Sequence, residues 1–201
     1  MSDKSRDLSR YDAVWRRAEP YMRARKNDVH IPLSFAWCQR LLDCHDGDAD
    51  PDICSLAILL HDIGWWAIDM DRIISEGFRG DNILQSDVRY LHEAEGVRLA
   101  RPILDETGFG HLTDAVCEII DGHDTRPHPR HLNDRIVRDA DKLWRFEVTG
   151  IAVASDWFGL TPRAYADRLP DIVEALETGP AKAMAEAELA ASRDRLMCHV
   201  L

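Results

Sequence analysis

The stretch Leu56-Ala57-Ile58-Leu59-Leu60-His61-Asp62-Ile63-Gly64 limits what this chain can fold into more than any other. Five apolar residues run unbroken into a His-Asp pair, and Ile-Gly follows. Asp50 is placed to cap a helix here. Pro51 suits its first turn, where a missing N–H costs nothing. Ile53, Leu56, Ala57 and Leu60 recur at i, i+3, i+4 and i+7. Ile58 and Leu59 are apolar as well, so the helix is expected to be buried on most sides. Burying an ionisable pair at its end is expensive unless a partner is present. A metal ion is the simplest partner for a neutral imidazole beside a carboxylate.

The chain must be large enough to surround such a helix. Its 201 residues suffice for one domain, alone or with a helical extension. A net charge of -11 argues against a general nucleic-acid binder and means that any anion site is built locally. The five cysteines, Cys38, Cys44, Cys54, Cys117 and Cys198, form no CxxC pair, which supports neither a zinc knuckle nor a disulfide framework. The first residues lack an apolar signal region, and no apolar run approaches a membrane span. The expectation is a cytoplasmic protein with reduced thiols, with neither a membrane nor a nucleic-acid polymer as partner.

In chain order, Leu8 to about Met22 reads as a helix limited by Pro20, with the charges of Arg16, Arg17, Arg23, Arg25 and Lys26 on a solvated face. Asp28 could cap a helix running to about Leu42, with His30 in its first turn. Residues 43–50 form a polar loop unsuited to an EF-hand, and His45 within it reads as solvated. After Gly64 come Trp65 and Trp66, read as packing residues, and a segment with Gly77, Gly80 and Asn82. Ser86 is a candidate cap for a helix whose face carries Val88, His92, Gly96, Leu99 and Ile103, so His92 points inward. Pro102 should kink or break it, and Gly108 and Gly110 end it.

Thr113 is a candidate cap for a helix in which Val116, Ile119, Ile120 and His123 share a face. A loop bearing Arg126 and Arg130 follows. Asn133 or Asp134 starts the next helix, where Val137, Ala140, Asp141, Trp144, Val148 and Ile151 line one face. That periodicity selects Asp141, rather than Asp139, as the inward carboxylate. The remainder is helical: through Trp157, about Ala164 to Glu177, and about Ala181 to Met197. There is no strand alternation and no glycine-rich phosphate loop. The fold class is all-α, with helices packed around the 51–63 helix. Residues 1–27 read as an N-terminal helix packing on the domain, 28–150 as the metal-binding core and 151–201 as C-terminal helices whose alanine-rich face could serve a homodimer.

Several helices therefore offer inward ionisable groups: His30, His61 with Asp62, His92, His123 and Asp141. This mixture of imidazole and carboxylate suits Zn, Mn, Fe, Ni and related divalent metals.

The order His30, His61-Asp62, Asp141, set in Leu-Leu-His-Asp-Ile-Gly and Asp-Ala-Asp-Lys-Leu, resembles the HD-domain metal-dependent phosphohydrolase superfamily over about residues 28 to 150. The resemblance implies a single HD-type helical bundle with a C-terminal helical extension. It also implies that His30, His61, Asp62 and Asp141 hold a first metal. His92 and His123 match two further histidines of the subset that can hold a second, with Asp62 bridging. The implied cofactor is one or two divalent ions per chain (Mn, Fe, Ni, Zn or Mg). Members resembling the cyclic-dinucleotide branch carry a lysine where Trp65 stands here, together with a Gly-Tyr-Pro signature absent from this chain, so that activity is set aside.

The implied activity is hydrolysis of a small phosphorylated metabolite or nucleotide by a metal-activated water, with His61 and Asp62 as catalytic residues and Asp62 orienting the water. Arg126, Arg130, Lys142 and Arg145 are the candidates for holding the phosphate. Members with the same six-residue pattern also include di-iron oxygenases that cleave C–C or C–P bonds, which makes that chemistry the alternative. A non-catalytic sensor ranks third.

Overall fold

The computed structural model describes residues 6–45, 47–79 and 86–197. Among them there is no strand, and the chain is an all-α bundle. Its helices are α1 (Asp12–Ala18), α2 (Asn27–Cys44), α3 (Pro51–Leu60), α4 (Met70–Gly77), α5 (Asp87–Glu106), α6 (Thr113–Ile120), α7 (Leu132–Leu143), α8 (Val148–Trp157), α9 (Pro162–Ala166), α10 (Leu169–Glu174) and α11 (Gly179–Met197). Short 3-10 turns join several of them, notably Ala24–Lys26, Ile63–Ala67 and Trp144–Phe146.

Helix α3 is the centre. Every residue from Cys54 to Leu60 is buried, against α2, α6, α7 and α1. Asp50 caps it, accepting the N–H groups of Asp52 and Ile53 at 2.9 and 3.1 Å. Truncating one of its fully buried leucines to alanine should cost about 2–5 kcal/mol, because a rigid surround cannot fill the void. One hydrophobic core runs from Tyr11 through α3 to Leu189. No single helix among the described residues is long and apolar enough to cross a membrane.

Several local expectations are corrected. The segment Leu8–Met22 is not one helix. It breaks into the 3-10 turn Leu8–Tyr11, α1 and a second 3-10 turn, Glu19–Tyr21, which accommodates Pro20. Asp28 does not cap α2, which starts at Asn27 after Arg25 and Lys26 adopt positive φ (53° and 56°). Ser86 does cap α5, but α5 continues through Pro102 to Glu106. It stops at Gly108 (φ +88°), where the Phe109 N–H returns to the Leu104 carbonyl at 2.9 Å. Thr113 is the first residue of α6 and makes no cap. His131, not Asn133 or Asp134, caps α7, its Nδ1 accepting from the Asp134 N–H. Asn133 instead ties α7 to the α3 entry by accepting the Asp50 N–H at 2.9 Å.

The expected run from 133 to 151 divides at Trp144–Phe146, because Glu147 is extended (ψ 153°). The expected 164–177 helix divides into α9 and α10, since Pro170 can only enter a helix at its first turn. Helix α4, which the sequence did not announce, is capped by Asp69. His45 is half-buried rather than solvated. Cys38, Cys54 and Cys117 are buried and Cys44 is exposed, all as free thiols. Gly80, Asn82 and Cys198 lie outside the described residues. In α11, Ala181, Ala185 and Leu189 are buried in the chain's own core, whereas Ala183, Ala187 and Ala190 are exposed, and α11 packs on α10, α7, α2, α8 and α9.

Candidate metal centre

His61 closes α3 and Asp62 occupies the turn behind it. His30 comes from the first turn of α2, His92 from the second turn of α5, His123 from the turn after α6 and Asp141 from the last turn of α7. The structure brings all six together. His30 Nε2 lies 2.9 Å from His61 Nε2, 3.3 Å from Asp62 Oδ2 and 3.2 Å from Asp141 Oδ1. His61 Nε2 lies 3.3 Å from Asp141 Oδ1 and 3.7 Å from Asp62 Oδ2. On the other side, Asp62 Oδ1 is 3.6 Å from His92 Nε2 and 3.5 Å from His123 Nε2, and these two nitrogens are 3.4 Å apart. The two oxygens of Asp62 thus face different histidine pairs.

The ring orientations suit a cation. His61 Nδ1 is 2.7 Å from the Ile58 carbonyl, His123 Nδ1 2.9 Å from the Ile120 carbonyl and His92 Nδ1 3.3 Å from the Val88 carbonyl. His30 Nδ1 is 3.4 Å from the Ser34 hydroxyl. A carbonyl can only accept, so each of those three Nδ1 atoms carries the proton. In the neutral ring Nε2 then keeps its lone pair. Lone pairs of imidazole and carboxylate consequently face one another in a buried space, which is unfavourable without positive charge between them. Adjacent ligands on an ion bound at ~2.1 Å stand about 3 Å apart, close to the spacings found here. Anchoring of the far ring nitrogen by a carbonyl is also the usual support for a metal-ligating histidine. The donor set therefore fits one ion between His30, His61 and Asp62, with Asp141 Oδ1 beside both of those histidines, and a second between Asp62, His92 and His123.

The surroundings hold both carboxylates ionised. Burial pushes Asp62 up, but the His61 and Arg25 charges and hydrogen bonds from His123 and His30 outweigh it and keep it well below the usual range. Burial likewise pushes Asp141 up, and the neighbouring His30 and His61 rings reverse the effect. Burial and the neighbouring His123 pull His92 down to about 3. Burial pulls His123 the same way, but the hydrogen bond to Asp62 and the Glu93 charge carry it up to about 10.

Neighbouring groups fix the six side chains. The Trp65 indole donates to Asp62 Oδ1 at 2.9 Å, and Arg25 donates to Asp62 Oδ2 at 3.3 Å. Glu93, next to His92, accepts the N–H groups of Asp124 and Thr125, both at 2.9 Å, and so clamps the turn that presents His123. Gly64 explains why the His-Asp pair is followed by Ile-Gly. A Cβ there would collide with the His92 carbonyl oxygen and the Gly96 amide. Only glycine lets the Ile63–Ala67 turn lie against α5, which sets His92 beside Asp62.

A cavity of about 310 Å³ opens onto Asp141. Lys142 and Arg145, both expected as anion contacts, line it. Arg126 and Arg130 do not. Arg126 is committed to Asp134 and to the Glu118 and Asp121 carbonyls, and Arg130 pairs with Glu118 at 2.8 Å. They hold the loop onto α6 and α7, which corrects the reading of that loop as a phosphate patch.

The sequence reading missed Arg25, which lines the cavity and is buried among Trp65, Phe78 and Trp157 at 4.4–4.7 Å. Its charge was visible but was assigned to a solvated face. The αL turn that drives it inward has no glycine to signal it. Arg89, also missed, faces the cavity with both Asp124 oxygens on its guanidinium, at 2.7 and 2.8 Å.

A model of the HD domain matches residues 33–145, more than half of the chain and beginning three residues after His30. Comparison with curated proteins and with solved structures returns no match.

Proposed function

The chain belongs to the HD domain family, and from that premise we propose that it is a metal-dependent phosphohydrolase acting on a small phosphorylated metabolite or nucleotide. The carrying observation is the juxtaposition of six lone-pair donors with a cation-lined cavity at Asp141. In this reading His30, His61, Asp62 and Asp141 hold one divalent ion, and Asp62, His92 and His123 hold a second. Bound there, such ions supply Lewis acidity, which acidifies a water and stabilises charge on phosphoryl oxygens.

The chain's own groups do the rest. Asp62, held ionised, accepts from and orients the attacking water. His61 keeps its Nε2 lone pair on the centre because its Nδ1 proton is fixed on the Ile58 carbonyl. Arg145 and Lys142 hold the phosphate, with Arg145 offering a planar fork for two oxygens. Burial lowers the Lys142 pKa, and Asp141 opposes that shift. Lys142 is therefore positioned both to bind an anion and to take part in proton balance.

The test is metal content after purification without added metal or chelator and without oxygen, followed by a phosphate-ester panel. One or two redox-quiet ions with phosphate release support the reading. Two irons with substrate-dependent oxygen uptake and no phosphate release would replace it with the oxygenase. Absence of metal, with none taken up on titration, would remove it.

A further inference from the structure

The cavity at Asp141 has a mixed lining, and Lys142, Arg145 and Arg25 are cations on it. The guanidinium Nε of Arg25 and that of Arg145 are buried and lack a hydrogen-bond partner. Arg25 cannot swing away to find one, because Trp65, Phe78 and Trp157 enclose it. Three cationic side chains lining one cavity favour an anion there.

The apolar part of the lining is Phe78, Phe158, Ile172 and Ala175, and Phe78 lies directly against Arg25 at 4.6 Å. Phe78 and Phe158 meet edge to face, with ring centroids 5.4 Å apart, and Phe158 is stacked on Tyr165 at 5.8 Å. These rings are therefore held in fixed orientations. Phe158, Ile172 and Ala175 all lie beyond residue 145, outside the stretch matched by the HD domain. Three of the four apolar lining residues therefore come from beyond that stretch, and Phe78 from within it. A volume of about 310 Å³ sits at the small end of ligand cavities, which leaves room for one ring system and one phosphate.

Resting on the phosphohydrolase reading of the same site, we infer that the substrate is a phosphate monoester with a compact, flat, apolar leaving group. Its phosphate lies among Lys142, Arg145 and Arg25, and its ring lies against Phe78 and Phe158. A dinucleotide exceeds the volume.

The experiment is calorimetric titration of the full chain, as purified, with phenylphosphonate and separately with inorganic phosphate. Phenylphosphonate cannot be hydrolysed to phosphate and phenol, so binding is read apart from turnover. Phenylphosphonate should bind about tenfold or more tightly than phosphate, the factor expected for burying one ring. Phe158→Leu, which keeps bulk and removes the flat face, and Ala175→Trp, which fills the cavity from an exposed position, should each bring the ratio of affinities towards one. Equal affinities in the unmodified chain, an unaltered ratio in both variants, or no binding of either probe would overturn the inference. Failure to hydrolyse any ester while phenylphosphonate is still preferred would sink the phosphohydrolase reading and leave the binding specificity standing.

Discussion

Trp65 lies flat on His92, with ring centroids 4.0 Å apart and planes 10° from parallel, while its indole N–H reaches Asp62 Oδ1 at 2.9 Å. One side chain thus orients two members of the same trio, His92 by stacking and Asp62 by hydrogen bonding. Trp65→Phe keeps the stack and removes the bond. Loss of such an outer partner typically weakens metal affinity about 10–100-fold. The weakening should fall on the ion held by Asp62, His92 and His123 and spare the one held with His30. Titration with Mn²⁺ should show one tight and one weakened step; two equally weakened steps would contradict the assignment of Trp65 to the second trio.

Asp62 serves both trios, whereas Asp141 touches only His30 and His61. Asp62→Ala should therefore abolish both metal binding and phosphate release, and Asp141→Ala should leave the His92–His123 ion in part. Asp62→Ala also strands Arg25 as a buried unpaired cation, so about 3–5 kcal/mol of stability should be lost with it. Metal per chain, measured on protein shown to be folded by circular dichroism, separates the two variants. Full activity in Asp62→Ala would end the site assignment.

Asp139, which periodicity turned away from the centre, is not a surface residue. It is fully buried and accepts the N–H groups of Glu177 and Thr178 at 2.8 and 2.9 Å and the Thr178 hydroxyl at 2.8 Å. It pins the entry of α11 to α7. Asp139→Ala should leave metal stoichiometry intact and lower stability by about 1–3 kcal/mol, from loss of these charge-assisted bonds. In thermal unfolding that is a drop of roughly 2–4 °C per kcal/mol for a chain of this size. A variant that loses metal but not stability would show the two aspartates to be interchanged.

What the sequence reveals follows from whether the signal is local. His92, His123 and Asp141 can be picked out because each falls on an apolar face of regular period, which a helix transmits directly into space, and His61-Asp62 because the pair ends an unbroken apolar run. Asp50 and Ser86 caps are equally local. Arg25 was illegible because its burial depends on two successive positive-φ residues and on three aromatic rings from distant segments. Arg126 was misread for the converse reason. Its loop looked free in sequence, but the partners that occupy it, Asp134 and the α6 carbonyls, are acceptors that any surface arginine could find only after folding. The second role of Asp139 depends on α11, about 38 residues away in sequence.

Acid should destabilise the fold through Asp124 as well as through the centre. Burial acts to raise the Asp124 carboxyl, but the hydrogen bond and charge of Arg89 override it and drive it far below its usual value. A carboxyl depressed in the folded state stabilises above its unfolded pKa of ~3.9, and that contribution is lost as pH falls below about 4. Asp62 and Asp141 are depressed in the same direction. The unfolding temperature should fall steadily below pH 4. In Arg89→Gln it should start lower at neutral pH and fall less steeply, since one depressed carboxyl has been relieved. Parallel curves for the two proteins would show that the Arg89–Asp124 pair does not couple to folding.

Gly64 and Gly96 face each other where the turn after Asp62 meets α5, and they differ in how much they can tolerate. A Cβ on Gly64 would strike the His92 carbonyl and the Gly96 amide, which are backbone atoms that cannot rotate aside. A Cβ on Gly96 would meet the Ile120 side chain at 3.1 Å, a contact that a small rotamer adjustment relieves. Gly64→Ala should therefore force the turn away from α5, separate His92 from Asp62 and cost more than about 3 kcal/mol. Gly96→Ala should cost about 1 kcal/mol or less, because the helix propensity of alanine offsets part of the crowding. Unfolding in denaturant with metal titration of each variant tests both claims. The second ion should be lost in Gly64→Ala under conditions where the chain is still folded, and retained in Gly96→Ala. If Gly64→Ala holds two ions as tightly as the unmodified chain, the close approach is not what builds the second trio.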